Sequence, residues 1–130
     1  SSAPSPPVKS VLFPFPRVKR GSRIVLYGAG AYGQRICHFL KKTGFCSVAA
    51  WVDRNYKELG RMGLLVESPE VIPGVSYDAI VIANTYERSR KALYQDLIGK
   101  YPKEKVHMPD VELIFSEESM KAFGLTENAG

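Results

Sequence analysis

Apolar residues along the chain occur in short runs, and each run is bounded by glycine or by polar residues. The runs that suit the main strands are at 24–27, 47–52 and 77–83. Short, nearly continuous apolar runs of this kind are typical of strands that a parallel sheet buries on both faces. Two shorter strands are predicted at 64–66 and 106–108.

Stretches with helical spacing separate these runs. A first helix is predicted over 32–43, where Gly44 is a suitable stop and one face carries Tyr32, Ile36, Phe39, Leu40 and Thr43. A second helix is predicted to run from a capping box at Asn84 and Glu87 to about Lys100, with Leu93 and Leu97 on its apolar face. Brief helices are expected to begin at Ser68 and Ser116. Residues 56–63 are predicted to form a loop or a short turn of helix, and 101–105 a turn.

The alternation of strands and helices predicts the fold class. It indicates an α/β protein with a doubly wound, Rossmann-like parallel sheet, helices on both faces and three α/β/α layers in a single domain. In such sheets ligands bind outside the carboxyl ends of the strands, where the strand order reverses. Three segments are therefore expected to converge there, at 28–33, 53–55 and 84–87.

The domain organisation follows from composition. Residues 1–16 are rich in proline and are predicted to form a flexible linker and an arm over the edge of the core. Residues 17–124 are predicted to form the nucleotide-binding domain, and 125–130 a disordered tail. The chain is expected to be one domain excised from a longer protein, so neighbouring domains of the parent chain are predicted partners.

Length and charge restrict the function classes. A chain of 130 residues can bury a core, and its net charge of +5 suits anionic ligands but is too diffuse to indicate nucleic acid. No apolar run approaches the roughly 18 residues of a membrane span, and no signal peptide is visible. Cys37 and Cys46 are expected to be reduced thiols without a metal. A cytoplasmic protein is predicted.

The strongest motif is a glycine-rich stretch directly after the first buried run. Gly28, Gly30 and Gly33 form G-x-G-x-x-G, between a predicted strand and a predicted helix. The first glycine allows the tight turn, the second lets a pyrophosphate approach the backbone, and the third allows close packing of helix and sheet. The helix N-terminus attracts phosphate. The motif predicts a nucleotide site formed by residues 28–33, which adds Ala29, Ala31 and Tyr32 to the glycines.

Charged and polar residues at the ends of the next strands extend this predicted site. Asp53 ends the second strand and is expected to accept hydrogen bonds from a ribose, which favours NAD over NADP. Arg54 could instead bind a 2′-phosphate. Asn84 and Thr85 end a later strand and either contact the ligand or cap the helix. Three cations follow in that helix, at Arg88, Arg90 and Lys91; they indicate either a nearby anion or a solvated face.

No catalytic residue is identified in the sequence. Tyr101 and Lys105 have the spacing of a dehydrogenase pair, but Pro102 interrupts them and they lie at the wrong end of the sheet. His38 and His107 have no acid or nucleophile at a recognisable spacing. The isolated chain is therefore predicted to be inactive.

The motif residues, together with 51–54, 63–70 and 77–83, resemble Rossmann-like modules of bacterial polysaccharide-biosynthesis enzymes. The chain is similar to the N-terminal domain of nucleotide-sugar epimerases and dehydratases. It is also similar to N-terminal domains of sugar O-acyltransferases and to modules appended to glycosyltransferases or C-methyltransferases. The resemblance implies NAD, NADP, a sugar nucleotide or a CoA-like ligand. The dehydratase Tyr/Lys pair and the acyltransferase β-helix are missing.

The combined prediction is an NAD(P)- or nucleotide-sugar-binding domain of a larger sugar-modifying enzyme. The alternative is a non-catalytic, degenerate Rossmann module that serves docking or dimerisation, with a homodimer as one form. Nucleic-acid binding ranks last.

Overall fold

Helices and short strands alternate in the computed structural model, which describes residues 6, 8–122 and 124. The strands are β1 (Val8–Leu12), β2 (Arg23–Tyr27), β3 (Ser47–Val52), β4 (Ala79–Ile82), β5 (Val106–His107) and β6 (Asp110–Ile114). The α-helices are α1 (Ala31–Thr43), α2 (Tyr56–Arg61), α3 (Glu87–Ile98) and α4 (Glu117–Ala122). Three 3-10 helices span Phe15–Arg17, Pro69–Gly74 and Lys103–Lys105.

Four of the strands form a parallel sheet in the order β3-β2-β4-β5. Strand β2 is central: Tyr27 pairs with Val52 on one side and with Ile82 on the other. The predicted strand at 64–66 is wrong, because only Glu67 pairs, through a single parallel bridge to Val52. Leu65 in that segment is 85% exposed, so its apolar character does not reflect burial in a sheet. The observed fold is mixed α/β with a parallel sheet, which agrees with the predicted class.

Alternation along the strands divides the sheet's side chains into two core clusters, since successive residues face opposite sides. One cluster joins Ile24, Leu26 and Val81 to Cys37 and Leu40 of α1. The other contains, among others, Val25, Ile80, Ile82, Ile72 and, from α3, Leu93 and Leu97. The apolar runs thus place α1 and α3 in different clusters.

Helix α1 confirms the first predicted helix but is rotated relative to the expected face. Its buried residues are Gly33, Cys37 and Leu40, whereas Phe39 is 40% exposed. The buried face therefore lies about one residue away from the predicted one, on the side that carries Gly33. Both cysteines are free and buried, and burial raises the pKa of each thiol.

Two compact units account for the described chain. Phe13–Pro109 forms the larger unit, which contains the parallel sheet. In the other unit β1 pairs antiparallel with β6, and Val8 lies opposite Ile114. The sequence analysis did not anticipate β1: it assigned Val11 and Leu12 to an arm over the core edge. The predicted domain of 17–124 includes parts of both units. The predicted disorder of 1–7 (apart from Pro6) and of 125–130 lies outside the described residues.

A helix that crosses a membrane must be long and apolar. None of the helices in the described part of the chain has both the length and the apolar character that this requires.

Candidate functional site

A tight glycine turn connects β2 to α1. Gly28 has φ +128°, a backbone conformation that side chains rarely adopt. A Cβ at Gly28 would also overlap the carbonyl group of Ala83, at the end of β4. The turn therefore requires glycine here for its conformation and for the close approach of the neighbouring strand.

The other two glycines lie in different surroundings. A Cβ on Gly33 would overlap the carbonyl of Gly28 and lie 3.7 Å from the Ala83 methyl. This glycine thus packs against the backbone of the turn itself. Gly30, the N-cap of α1, has φ −72° and is exposed, and a Cβ there would meet nothing within 4 Å. Gly30 is the position where a ligand could approach the backbone.

Asp53 lies directly beyond β3 and is half-buried. Its Oδ2 accepts a hydrogen bond of 2.8 Å from the Ala29 amide, and its Oδ1 accepts one of 2.8 Å from the Asn55 amide. Both carboxylate oxygens therefore already bind the protein's own backbone. The next residue, Arg54, is exposed, and its guanidinium lies 3.6 Å from the Asp96 carboxylate.

Two residues that the sequence analysis missed also bind the turn. The Trp51 indole Nε1 donates to the Gly28 carbonyl at 2.9 Å, and Gln34 Nε2 donates to the Ala29 carbonyl at 3.0 Å. The Gly28 amide donates to the Val52 carbonyl at 2.8 Å. A signal for Trp51 exists, since it lies two positions before Asp53 and side chains two apart in a strand share a face.

The loop between β4 and α3 differs from its prediction. Helix α3 has Tyr86 as its N-cap and no side-chain cap, so the capping box is wrong. Asn84 Oδ1 instead accepts a hydrogen bond from the Tyr86 amide at 2.8 Å, which forms a local turn before the helix. Thr85 is exposed.

The three cations of α3 also separate. Arg90 is buried at 7% exposure, and its Nη1 donates to the Thr85 carbonyl at 2.7 Å. Lys91 pairs with Glu87 at 2.9 Å on the exposed surface, and Arg88 is exposed. Arg90 and Lys91 therefore have protein partners and do not by themselves require a bound anion.

A cleft of about 360 Å³ is lined by one or two residues from each of the three predicted segments. Strands β3 and β4 flank β2 on opposite sides, and the cleft opens at the carboxyl ends of all three. This is the place where parallel sheets bind ligands. The residues that line it are Tyr27, Gly28, Asp53, Arg54, Asn84, Ser89, Ala92 and Leu93. Ala29 does not line the cleft, but its amide donates to Asp53, which does. Tyr32 is half-buried and packs against the core cluster that contains α1 residues.

Groups suited to acid–base chemistry lie elsewhere. The Lys105 ammonium lies 5.5 Å from the centroid of the Tyr77 ring, and burial raises the pKa of Tyr77. His107 lines a second cleft beside Arg17, and burial together with that guanidinium lowers its pKa. Among the described residues, no three His, Cys, Asp or Glu side chains are placed to hold a metal.

Comparisons with models of protein families, with curated proteins and with solved structures found no match to this chain. The resemblance to polysaccharide-biosynthesis modules therefore stays a prediction, as do the predicted ligand and the predicted inactivity of the isolated chain.

Proposed function

We propose that the cleft at the carboxyl ends of β2, β3 and β4 binds a nucleotide, and that the fold is a Rossmann-like, doubly wound α/β/α module. One observation carries the proposal: Gly28, Asp53 and Asn84 follow three different strands, and all three line the same cleft. Its volume lies at the lower end of the roughly 300–1,000 Å³ of ligand pockets.

The phosphates would bind at the start of α1. The first four amides of an α-helix have no acceptor within the helix, and the helix dipole favours an anion there. Gly30 offers open space beside its backbone. A phosphate oxygen could therefore approach the backbone amides of Gly30 and Ala31. Gly33 supports the turn from the other side.

The choice of nucleotide depends on Asp53 and Arg54. NAD would be favoured over NADP if the Asp53 carboxylate faced the ribose, because a carboxylate repels a 2′-phosphate. Each carboxylate oxygen of Asp53 already accepts a hydrogen bond from one backbone amide. A ribose hydroxyl that bonds Asp53 would therefore have to share an oxygen with an amide. Arg54 is exposed beside it and offers a positive charge to a phosphate instead.

The biological setting follows from the resemblance alone. The module would belong to a larger enzyme that modifies nucleotide sugars or surface polysaccharides, in the bacterial cytoplasm, with catalytic residues on other domains.

A docking or dimerisation module is the second candidate, and the β1–β6 ribbon supports it. The ribbon exposes five large apolar side chains: Val8, Leu12, Val111, Leu113 and Ile114. Exposed apolar side chains concentrated on two paired strands are a feature of interaction surfaces.

Thermal unfolding in the presence of ligands distinguishes the two candidates. NAD, NADP, UDP-sugars and CoA are each titrated to millimolar concentration. A nucleotide at about 100 times its dissociation constant should stabilise the fold by about 2.7 kcal/mol. If no ligand raises the midpoint, the nucleotide proposal fails and the docking module is favoured.

A further inference from the structure

One peptide group of the glycine turn, between Gly28 and Ala29, is hydrogen-bonded at both ends. Its carbonyl oxygen accepts the Trp51 indole N–H at 2.9 Å, and its amide donates to Asp53 Oδ2 at 2.8 Å. Both distances are those of good hydrogen bonds. Because a peptide group is planar, fixing both ends fixes the orientation of the whole group.

The residues that hold this peptide come from the end of one strand. Trp51, Val52 and Asp53 are consecutive, and each binds the turn: by its indole, its backbone carbonyl and its carboxylate. The Gly28 carbonyl also lies where Gly33 has no room for a Cβ. Residues of both β3 and α1 therefore constrain the orientation of the Gly28–Ala29 peptide.

Ala29, the second residue of this peptide, directly precedes Gly30, which is the N-cap of α1. The orientation of the peptide decides where the helix starts and which way the first amides of α1 point. A change in the orientation of this peptide would therefore change the direction of the first amides of α1, which the proposed function assigns to phosphate binding.

We propose that Trp51 and Asp53 together are positioning residues for the glycine turn, and that Asp53 supports nucleotide binding through the Ala29 amide and not by selecting the ribose. The affinity part of this proposal rests on the proposed function. The structural part does not, because it concerns the protein without a ligand.

Amide hydrogen exchange in the ligand-free protein tests the structural part. In Asp53→Asn the side chain keeps one acceptor oxygen for two amides, since its NH2 group only donates. Exchange at Ala29, at Asn55 or at both should become at least about tenfold faster. Trp51→Phe removes the indole N–H and keeps an aromatic ring; it should speed exchange at Ala29 and at Gln34, whose amide bonds the Gly30 carbonyl.

Asp78→Asn is the matched control. The Asp78 carboxylate also accepts a backbone amide at 2.8 Å, that of Arg23 at the start of β2. This variant keeps an acceptor oxygen for the Arg23 amide and should leave exchange at Ala29 unchanged. Unchanged exchange at Ala29 and Asn55 in Asp53→Asn, with the fold intact by circular dichroism, would show that Asp53 does not position the glycine turn.

Binding measurements test the selectivity part. If Asp53 positions the turn, Asp53→Asn should weaken NAD and NADP by the same factor, and Trp51→Phe should weaken both in parallel. A loss for NAD with a gain for NADP would instead show that the carboxylate reads the ribose, and would refute this part.

Trp51 is the single tryptophan of the chain, so its emission reports on the turn without a label. Asp53→Asn should alter that emission in the ligand-free protein, whereas Asp78→Asn should not. If the parent protein binds no nucleotide, the proposed function fails. Amide exchange and tryptophan emission still decide whether Trp51 and Asp53 position the glycine turn.

Discussion

At the scale of single residues, the three glycines of the turn differ in what surrounds their α-carbons. Gly28 combines a positive φ with a close neighbour, Gly33 has a close neighbour at ordinary helical geometry, and Gly30 has neither. The first two are needed for the fold whether or not a ligand binds. Gly30 has no such structural requirement, which is compatible with the phosphate position proposed beside it.

Valine substitutions separate these roles. Gly30→Val should leave the free energy of unfolding within about 0.5 kcal/mol of the parent, because its side chain enters open space. It should abolish nucleotide binding, because the side chain fills the place proposed for phosphate. Gly33→Val should lower stability by about 1–3 kcal/mol, because it overlaps the Gly28 carbonyl. Urea unfolding and ligand titration measure the two effects.

The comparison between the variants provides the control. Equal nucleotide affinity in Gly30→Val and the parent would reject the phosphate position. If Gly33→Val were as stable as the parent, the close packing of α1 against the turn would be wrong.

At the scale of elements, a buried guanidinium joins α3 to the loop that precedes it. Arg90 lies three and seven positions before Leu93 and Leu97, so all three share the buried face of α3. Its Nη1 bonds the Thr85 carbonyl at 2.7 Å and lies 3.5 Å from that of Asn84. Both carbonyls belong to the loop at the cleft, so Arg90 orients one wall of the candidate site.

Arg90→Met should therefore destabilise the protein by about 1–3 kcal/mol. Methionine fills a similar volume, but the Thr85 carbonyl loses its charged donor. Urea unfolding should show a lower midpoint, and amide exchange should rise in the loop around Tyr86. Arg88→Met, at an exposed position of the same helix, is the control and should change stability by less than about 0.5 kcal/mol. Equal effects of the two substitutions would contradict the structural role of Arg90.

At the scale of the molecule, the free energy of unfolding should depend on pH through His107, which lines a cleft far along the chain from the glycine turn. This cleft, of about 640 Å³, is lined by His107 together with Arg17, Tyr94, Lys103, Glu104, Val106 and Met108. The Arg17 Nη2 donates to the Met108 carbonyl at 2.6 Å. Burial first, and then the Arg17 charge, lower the pKa of His107.

The free energy of unfolding should fall as the pH decreases from about 6.5, the ordinary pKa of histidine in an unfolded chain. Between that value and the lowered native pKa, the unfolded state binds more protons, so acid favours unfolding. The contribution of His107 is complete above about pH 6.5 and is lost as the pH passes through the native pKa. Urea unfolding between pH 7 and 5 measures this loss, and His107→Gln should reduce it.

His38→Gln changes the other histidine of the chain and serves as the control. The loss of stability in acid should persist in this variant. An identical pH profile for His107→Gln and the parent would show that His107 does not contribute.

Local pattern by itself determined the elements that form the centre of the sheet. Strands β2, β3 and β4, helix α1 and the glycine turn were all predictable, because burial on both faces demands apolar runs and the turn demands glycine. The position of Asp53 at a strand end was predictable for the same reason. These features depend on residues close together in the chain.

Only the tertiary structure decided which groups meet. β1 pairs with β6 about a hundred residues away, and no local signal specifies such a partner. The two carboxylate oxygens of Asp53 bind the backbone amides of Ala29 and Asn55. Because every residue except proline has a backbone N–H, the amino-acid type does not reveal such a contact. The sequence left Arg90 as either a contact to an anion or a solvated charge, yet Arg90 is buried and its guanidinium donates to loop carbonyls. Hydrogen-bond partners follow from where the backbone lies in space, and that is settled only when the whole chain has folded.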